Sequence, residues 1–140
     1  MTKKIWKILL LLVLVISCAK DEEVIPNVSF SGKVYIPYLT SNPIIVKRDV
    51  ENYRLGINGV LIYYAGTNEY YAFDLMCPYE KSTSCMVSIT DGATCTCPCC
   101  GSRFIIVTNP GSVVEGPSQW PLKSYNTHVS IDGDYLYISN

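Results

Sequence analysis

Cysteine is the residue type with the most evident chemistry in this sequence, because four of its seven cysteines lie within six positions. These four belong to the stretch TCTCPCCGSRF, two more precede it, and one lies near the N-terminus. In chain order the cysteines are Cys18, Cys77, Cys85, Cys95, Cys97, Cys99 and Cys100. Thiolates bind metal ions, hold iron–sulfur clusters or pair as disulfides, so these residues are the first candidates for a functional site.

Other kinds of chemistry have little support in the sequence. The single histidine, His128, lies in a segment typical of a surface strand, and nothing beside it indicates a Ser–His–Asp set. Twelve acidic residues stand against eleven basic ones, and three of the basic residues lie at the extreme N-terminus. The chain has no basic stripe, and therefore nucleic acid is not an expected partner.

The N-terminal residues predict where in the cell the protein is located. Residues 1–17 combine a basic start with an apolar run that is short for a membrane span, as in a signal peptide. The residues Val-Ile-Ser-Cys that end at Cys18 resemble a bacterial lipobox. We predict that Cys18 is lipidated, that residues 18–26 form a flexible tether, and that the protein is lipid-anchored in the bacterial cell envelope, at the outer membrane or cell surface. The alternative is an ordinary signal peptide or short anchor with an incidental Cys18.

Residues 27–140 predict one all-β domain, a small antiparallel sandwich or barrel. Short β-rich runs alternate with turn residues, and no helical period is sustained. We predict strands at residues 60–64 and 70–75 around an Ala-Gly-Thr-Asn turn, and a further hairpin around Asp91-Gly92. Two more hairpins are predicted for RFIIV-TNPG-SVVEG and HVSI-DGD-YLYIS.

Two cysteine-bearing segments indicate that this domain resembles a known family. The first, YYAFDLMCPYE, contains Cys77-Pro-Tyr79, and after a gap of 17 residues the second, CPCCGSRF, runs from Cys97 to Phe104. A Gly-Pro…Pro-Leu segment follows, with Trp120 inside it. This order resembles the Rieske family, in which Cys-x-His and Cys-x-x-His-Gly-Ser-x-Phe loops pinch a 2Fe–2S cluster. The resemblance covers essentially all of residues 27–140 and implies a base sheet that carries a smaller two-loop lobe.

The resemblance also implies a ligand set, and the sequence departs from the family in half of it. Cys77 and Cys97 match the thiolate ligands, whereas Tyr79 and Cys100 occupy the histidine positions. An ordinary cluster with two cysteines and two histidines therefore cannot form. In high-potential Rieske proteins a cysteine at the position of Cys99 is bonded to the first loop, and the implied partner here is Cys85.

The cysteines leave several interpretations open. A 2Fe–2S cluster with altered ligands would use Cys77, Cys97 and Cys100, with Tyr79 or another cysteine as the fourth ligand. A structural zinc would use the Cys97-x-x-Cys100 pair together with Cys77 and one further thiolate. Disulfides alone could instead fill the cluster position. A thioredoxin-type pair is disfavoured, because these cysteines lie on a β-hairpin and not at a helix N-terminus.

The functional expectation follows from these interpretations. We predict a membrane-anchored Rieske-like protein that transfers electrons through a thiolate-altered 2Fe–2S cluster to a redox partner protein. The alternative is a non-redox structural or surface-binding lipoprotein in which zinc or disulfides replace the cluster. The sequence shows no catalytic domain of its own, so at most the protein would be the electron-transfer component of an enzyme.

Overall fold

The computed structural model describes residues 24–140, and the strands in this part of the chain form two antiparallel sheets. The larger sheet has the strand order β1-β10-β9-β4-β3-β2, and the smaller has the order β5-β6-β7-β8. The strands are β1 Ser31–Tyr35, β2 Ile44–Val46, β3 Val60–Gly66, β4 Glu69–Asp74, β5 Ser88–Ile89, β6 Thr94–Thr96, β7 Arg103–Ile105, β8 Val113–Glu115, β9 Ser124–Val129 and β10 Tyr135–Ser139. The expected all-β fold class, an antiparallel base sheet with a smaller lobe, is confirmed.

The four predicted hairpins are present, and the first of them has a shorter turn than predicted. β3 and β4 pair from Val60↔Asp74 to Gly66↔Glu69, so the turn is tighter than the four residues expected. Gly66, Thr67 and Asn68 all have positive φ, as a tight hairpin turn of this hand requires, and the register shifts between Tyr64 and Gly66. The strand therefore continues through Ala-Gly and only Thr67-Asn68 make the turn.

β3 and β4 are buried on both faces, which explains their nearly continuous apolar sequence. On one face Val60, Ile62 and Ala72 pack in a core beneath β10 and β9. On the other face Leu61 and Phe73 pack against the smaller sheet. This second core also contains three cysteines and so joins the base sheet to the lobe that carries them.

A buried carboxyl group holds the end of β4 in place. Asp74 is fully buried and accepts hydrogen bonds from the Tyr125 hydroxyl at 2.7 Å, Ile57 N–H at 2.8 Å and Met76 N–H at 2.7 Å. Burial, together with the hydrogen bond to Asp74, raises the pKa of Tyr125 above its ordinary range. Three donors thus satisfy the group three residues before Cys77.

The predicted signal peptide and the lipidation site Cys18 lie outside the described residues. The predicted tether extends to residue 26, and within it Ile25 is 4% exposed and therefore packs against the domain. Between residues 24 and 140 no helix has the length and apolar character needed to cross a membrane.

Replacing Tyr125 with Phe should destabilise the domain by about 1–3 kcal/mol, because the substitution leaves a buried acceptor without its hydroxyl partner. Urea unfolding would measure the change. Tyr137→Phe is the matched control, since Tyr137 is 41% exposed on the neighbouring strand β10. Equal losses in the two variants would contradict the assigned role of the Asp74–Tyr125 bond.

Candidate metal centre

Two five-residue loops with the same backbone turn carry the candidate site. Loop 1 is Cys77–Lys81, which follows β4, and loop 2 is Cys97–Gly101, between β6 and β7. In each loop the N–H of the fifth residue donates to the carbonyl of the first cysteine at 2.9 Å. The fifth residue has left-handed φ in both loops, +50° at Lys81 and +75° at Gly101. Both loops also begin Cys-Pro, so they share their first two residues as well as the backbone turn.

The two loops bring three thiols together. The sulfurs of Cys77, Cys97 and Cys100 all lie within 4.8 Å of one another. Cys77 Sγ and Cys100 Sγ are 3.7 Å apart, although they are separated by 23 residues in the chain. Cys77 and Cys97 are completely buried and Cys100 is partly exposed. Among the described residues this is the group of cysteine, histidine and acidic side chains positioned to hold a metal ion.

The separation of the sulfurs fits one tetrahedral ion. Zinc–sulfur bonds of about 2.3 Å at a tetrahedral angle place neighbouring sulfurs about 3.8 Å apart. The distance between Cys77 and Cys100 matches this value without any movement. The three sulfurs therefore lie close enough together to be held by one metal ion.

The other cysteines have separate positions. Cys85 and Cys99 are joined by a disulfide, with Cα atoms 6.0 Å apart. Cys85 O also accepts the N–H of Cys77 at 3.2 Å, so the disulfide fastens loop 2 to the segment that pairs with loop 1. Cys95 is a free thiol on β6, completely buried in the core behind the loops and outside the three-thiol group.

The thiols of the site differ in acidity. Burial raises the pKa of Cys77 to about 12, even though the N–H groups of Glu80 and Tyr79 donate to its sulfur and oppose that shift. Burial also raises the pKa of Cys95 to about 12. At Cys100 burial acts in the same direction, but hydrogen bonding with the Ser102 side chain and N–H, and with the thiols of Cys97 and Cys77, holds the pKa below its ordinary value. Of Cys77 and Cys100, the more exposed thiol, Cys100, is therefore the one that more readily becomes a thiolate.

Ser102 is a site residue that the sequence reasoning did not single out. Its side chain is completely buried, and its Oγ lies 3.2 Å from Cys100 Sγ and accepts the N–H of Ser118 at 3.0 Å. A Cβ on Gly116 would fall 2.5 Å from Ser102 Cα, so only glycine permits this close approach. Ser102 thereby connects loop 2 to the Gly-Pro…Pro-Leu segment. The Gly-Ser-x-Phe pattern after Cys100 was the available signal for it.

The outer surface of the lobe is aromatic. Tyr79, in one of the histidine positions implied by the resemblance, is 52% exposed and lines a surface cleft of about 310 Å³. Trp120 lines the same cleft and is 47% exposed. The single histidine, His128, lies exposed on β9 and pairs with Tyr137 of β10. Neither Tyr79 nor His128 belongs to the three-thiol group.

The chain has a distant structural likeness to a protein of known structure. No protein-family model matches the chain, and no curated protein sequence matches it. The proposed small subunit of an NADH-dependent nitrite reductase from Mycobacterium tuberculosis superposes with a TM-score of 0.48 at 12% sequence identity. The match covers 81% of this chain and 96% of that one.

Substituting Gly116 with Ala should displace the segment that contacts Ser102. Because φ is +92° and the new Cβ would meet backbone atoms, we expect a loss of about 2–4 kcal/mol from backbone strain and overpacking together. Urea unfolding measures the loss, and the alkylation rate of Cys100 should rise as its cover loosens.

Gly133→Ala is the control for backbone strain alone. Gly133 has φ of +79°, and a Cβ added there would have no heavy atom within 4 Å, so a loss of only about 1 kcal/mol is expected. Similar losses at both glycines, with Cys100 reactivity unchanged, would show that the contact with Ser102 contributes nothing.

Proposed function

We propose that this protein is a lipid-anchored envelope protein whose Rieske-like domain binds one zinc ion through Cys77, Cys97 and Cys100. The observation that carries the proposal is the convergence of these three sulfurs within 4.8 Å of one another. Zinc prefers four ligands in tetrahedral geometry and accepts thiolates readily. The ion would occupy the place where Rieske proteins hold their cluster, and its role would be structural.

A structural metal ion would stabilise the lobe that the smaller sheet and the two loops form. β5, β6, β7 and β8 have two or three residues each, so the smaller sheet has few backbone hydrogen bonds of its own. A zinc ion held by both loops would connect them across the centre, while the Cys85–Cys99 disulfide joins loop 2 to the segment that pairs with loop 1. The stabilised lobe would present Tyr79 and Trp120 at the surface.

Electron transfer through an iron–sulfur cluster is the second candidate function. The observation in its favour is that Cys77 and Cys97 each begin one of two facing loops, as the Rieske resemblance implies. Such a cluster would need a ligand for its second iron from outside the three-thiol group. It would also need a redox partner protein that delivers or receives the electron.

Metal analysis of the full-length protein, purified in detergent without oxygen, separates the two functions. We expect one zinc per chain, and loss of that zinc in Cys97→Ser because a ligand is removed. The matched control is Cys95→Ala, which removes a buried thiol outside the group and should retain the metal. Iron with acid-labile sulfide would instead establish the electron carrier, and a metal-free protein with Cys77 and Cys100 oxidised would exclude both.

The anchor is tested separately. Cells expressing the full chain should incorporate labelled palmitate into the protein, and Cys18→Ser should abolish the label and release the protein from the membrane fraction. Cys85→Ser, which leaves the N-terminal segment intact, serves as the control for general effects of losing a cysteine. Membrane retention without label in Cys18→Ser would indicate an uncleaved anchor helix.

A further inference from the structure

Three thiols leave one position of a tetrahedral ion without a ligand. We infer that the carboxylate of Glu80 supplies the fourth ligand, which makes the centre a three-thiolate, one-carboxylate site. This inference rests on the zinc-binding function proposed above and identifies the residue that completes the site. Carboxylate oxygens bind zinc at about 2.0–2.2 Å and are accepted together with thiolates in the same site.

The equivalence of the two loops carries the inference. Each loop is a five-residue turn that begins Cys-Pro, closes with a 2.9 Å hydrogen bond from residue five to residue one, and has left-handed φ at residue five. Residue one of each loop, Cys77 or Cys97, contributes a thiol. In loop 2 the fourth residue, Cys100, contributes the third thiol. The fourth residue of loop 1 is Glu80, the one position of the four without a thiol.

Burial follows the same equivalence. The third residues, Tyr79 and Cys99, are both exposed on the outside of their loops. The fourth residues, Glu80 and Cys100, are both partly buried. Cys100 Sγ, from the fourth residue of loop 2, lies 3.7 Å from Cys77 Sγ, the first residue of the facing loop. By the same equivalence, Glu80 is the residue of loop 1 whose side chain would turn toward Cys97.

The backbone of Glu80 belongs to the closed turn that begins with Cys77. Glu80 lies three residues after Cys77 and one before Lys81, whose N–H donates to the Cys77 carbonyl at 2.9 Å. The carboxylate itself lies outside the 4.8 Å group in this structure. The Glu80 side chain must rotate to bring a carboxylate oxygen onto the ion. Within the described residues no hydrogen bond or ion pair involves this carboxylate, so none opposes the rotation.

Cys95 and solvent are the competing sources of a fourth ligand. Cys95 lies two residues before Cys97 on β6, and its side chain faces the same core. It has no counterpart in loop 1, and its sulfur lies outside the group. A solvent ligand would leave the ion open on the partly exposed side of Cys100. Cys95 as the ligand predicts four sulfurs, whereas Glu80 and solvent both predict three sulfurs and one oxygen and differ in the response to substitution of Glu80.

The test uses full-length protein loaded with zinc alone, with affinity measured by chelator competition and the ligand shell by X-ray absorption at the zinc edge. Wild type should show three sulfurs and one oxygen. Glu80→Gln should bind zinc at least about 100-fold more weakly, the upper end of the range for losing an outer-shell partner of a ligand. Glu80→Cys should restore tight binding and give four sulfurs. Glu51→Gln, an exposed acid paired with Lys33, is the matched control and should leave affinity unchanged.

The outcomes separate the inference from the function on which it rests. Zinc bound by wild type with four sulfurs and lost affinity in Cys95→Ala would assign the ligand to Cys95 and overturn the role of Glu80. Three sulfurs and one oxygen with unchanged affinity in Glu80→Gln would assign the position to solvent and equally overturn it. A wild-type protein that binds no zinc would refute the proposed function itself. Circular dichroism of each variant confirms that the fold is retained.

Discussion

The site depends on one backbone constraint, the closure of each Cys-Pro loop by a hydrogen bond from its fifth residue to its first. In both loops the fifth residue also has left-handed φ, which directs the chain out of the closed turn, and Gly101 adopts it freely whereas Lys81 adopts it at a cost of about 1–2 kcal/mol. Because both loops close in this way, the first cysteine of each is buried and their sulfurs meet. Relaxing either turn would separate the thiols, since the closure is what turns each first cysteine toward the facing loop.

The base sheet supplies the rigid support that this constraint needs. β4 is buried on both faces and leads directly into loop 1, while the Asp74–Tyr125 hydrogen bond fixes the last residue of that strand. Ser102 performs the corresponding task for loop 2, because its hydroxyl connects Cys100 to the segment at Ser118. Each loop is thus held by one satisfied buried polar group outside the metal centre.

Burial of the thiols couples metal binding to protons. The pKa of Cys77 is raised to about 12 by burial, so the thiol is protonated at neutral pH when no metal is bound. A divalent ion must displace that proton, and the buried thiolate is then stabilised by the ion's charge. With Tyr79 and Cys100 at the positions where the resemblance implies histidines, Cys100 joins Cys77 and Cys97 in a three-thiol group and Tyr79 lies outside it. Under the proposed function, the chemistry consequently moves from electron transfer toward structural support.

The sequence alone determined the class of the domain and the chemistry available to it. Alternating apolar residues with turn signals specify strands locally, and the absence of histidine at positions 79 and 100 excludes an ordinary Rieske cluster whatever the fold. Local patterns could not decide which thiols meet, because Cys77 reaches Cys100 through pairing of segments far apart in the chain. The exposure of Tyr79, the separation of Cys95 and the turn that makes CPYEK equivalent to CPCCG were also decided by tertiary structure. These features depend on tertiary packing and on the left-handed φ of Lys81. A lysine in the sequence does not indicate that φ is positive.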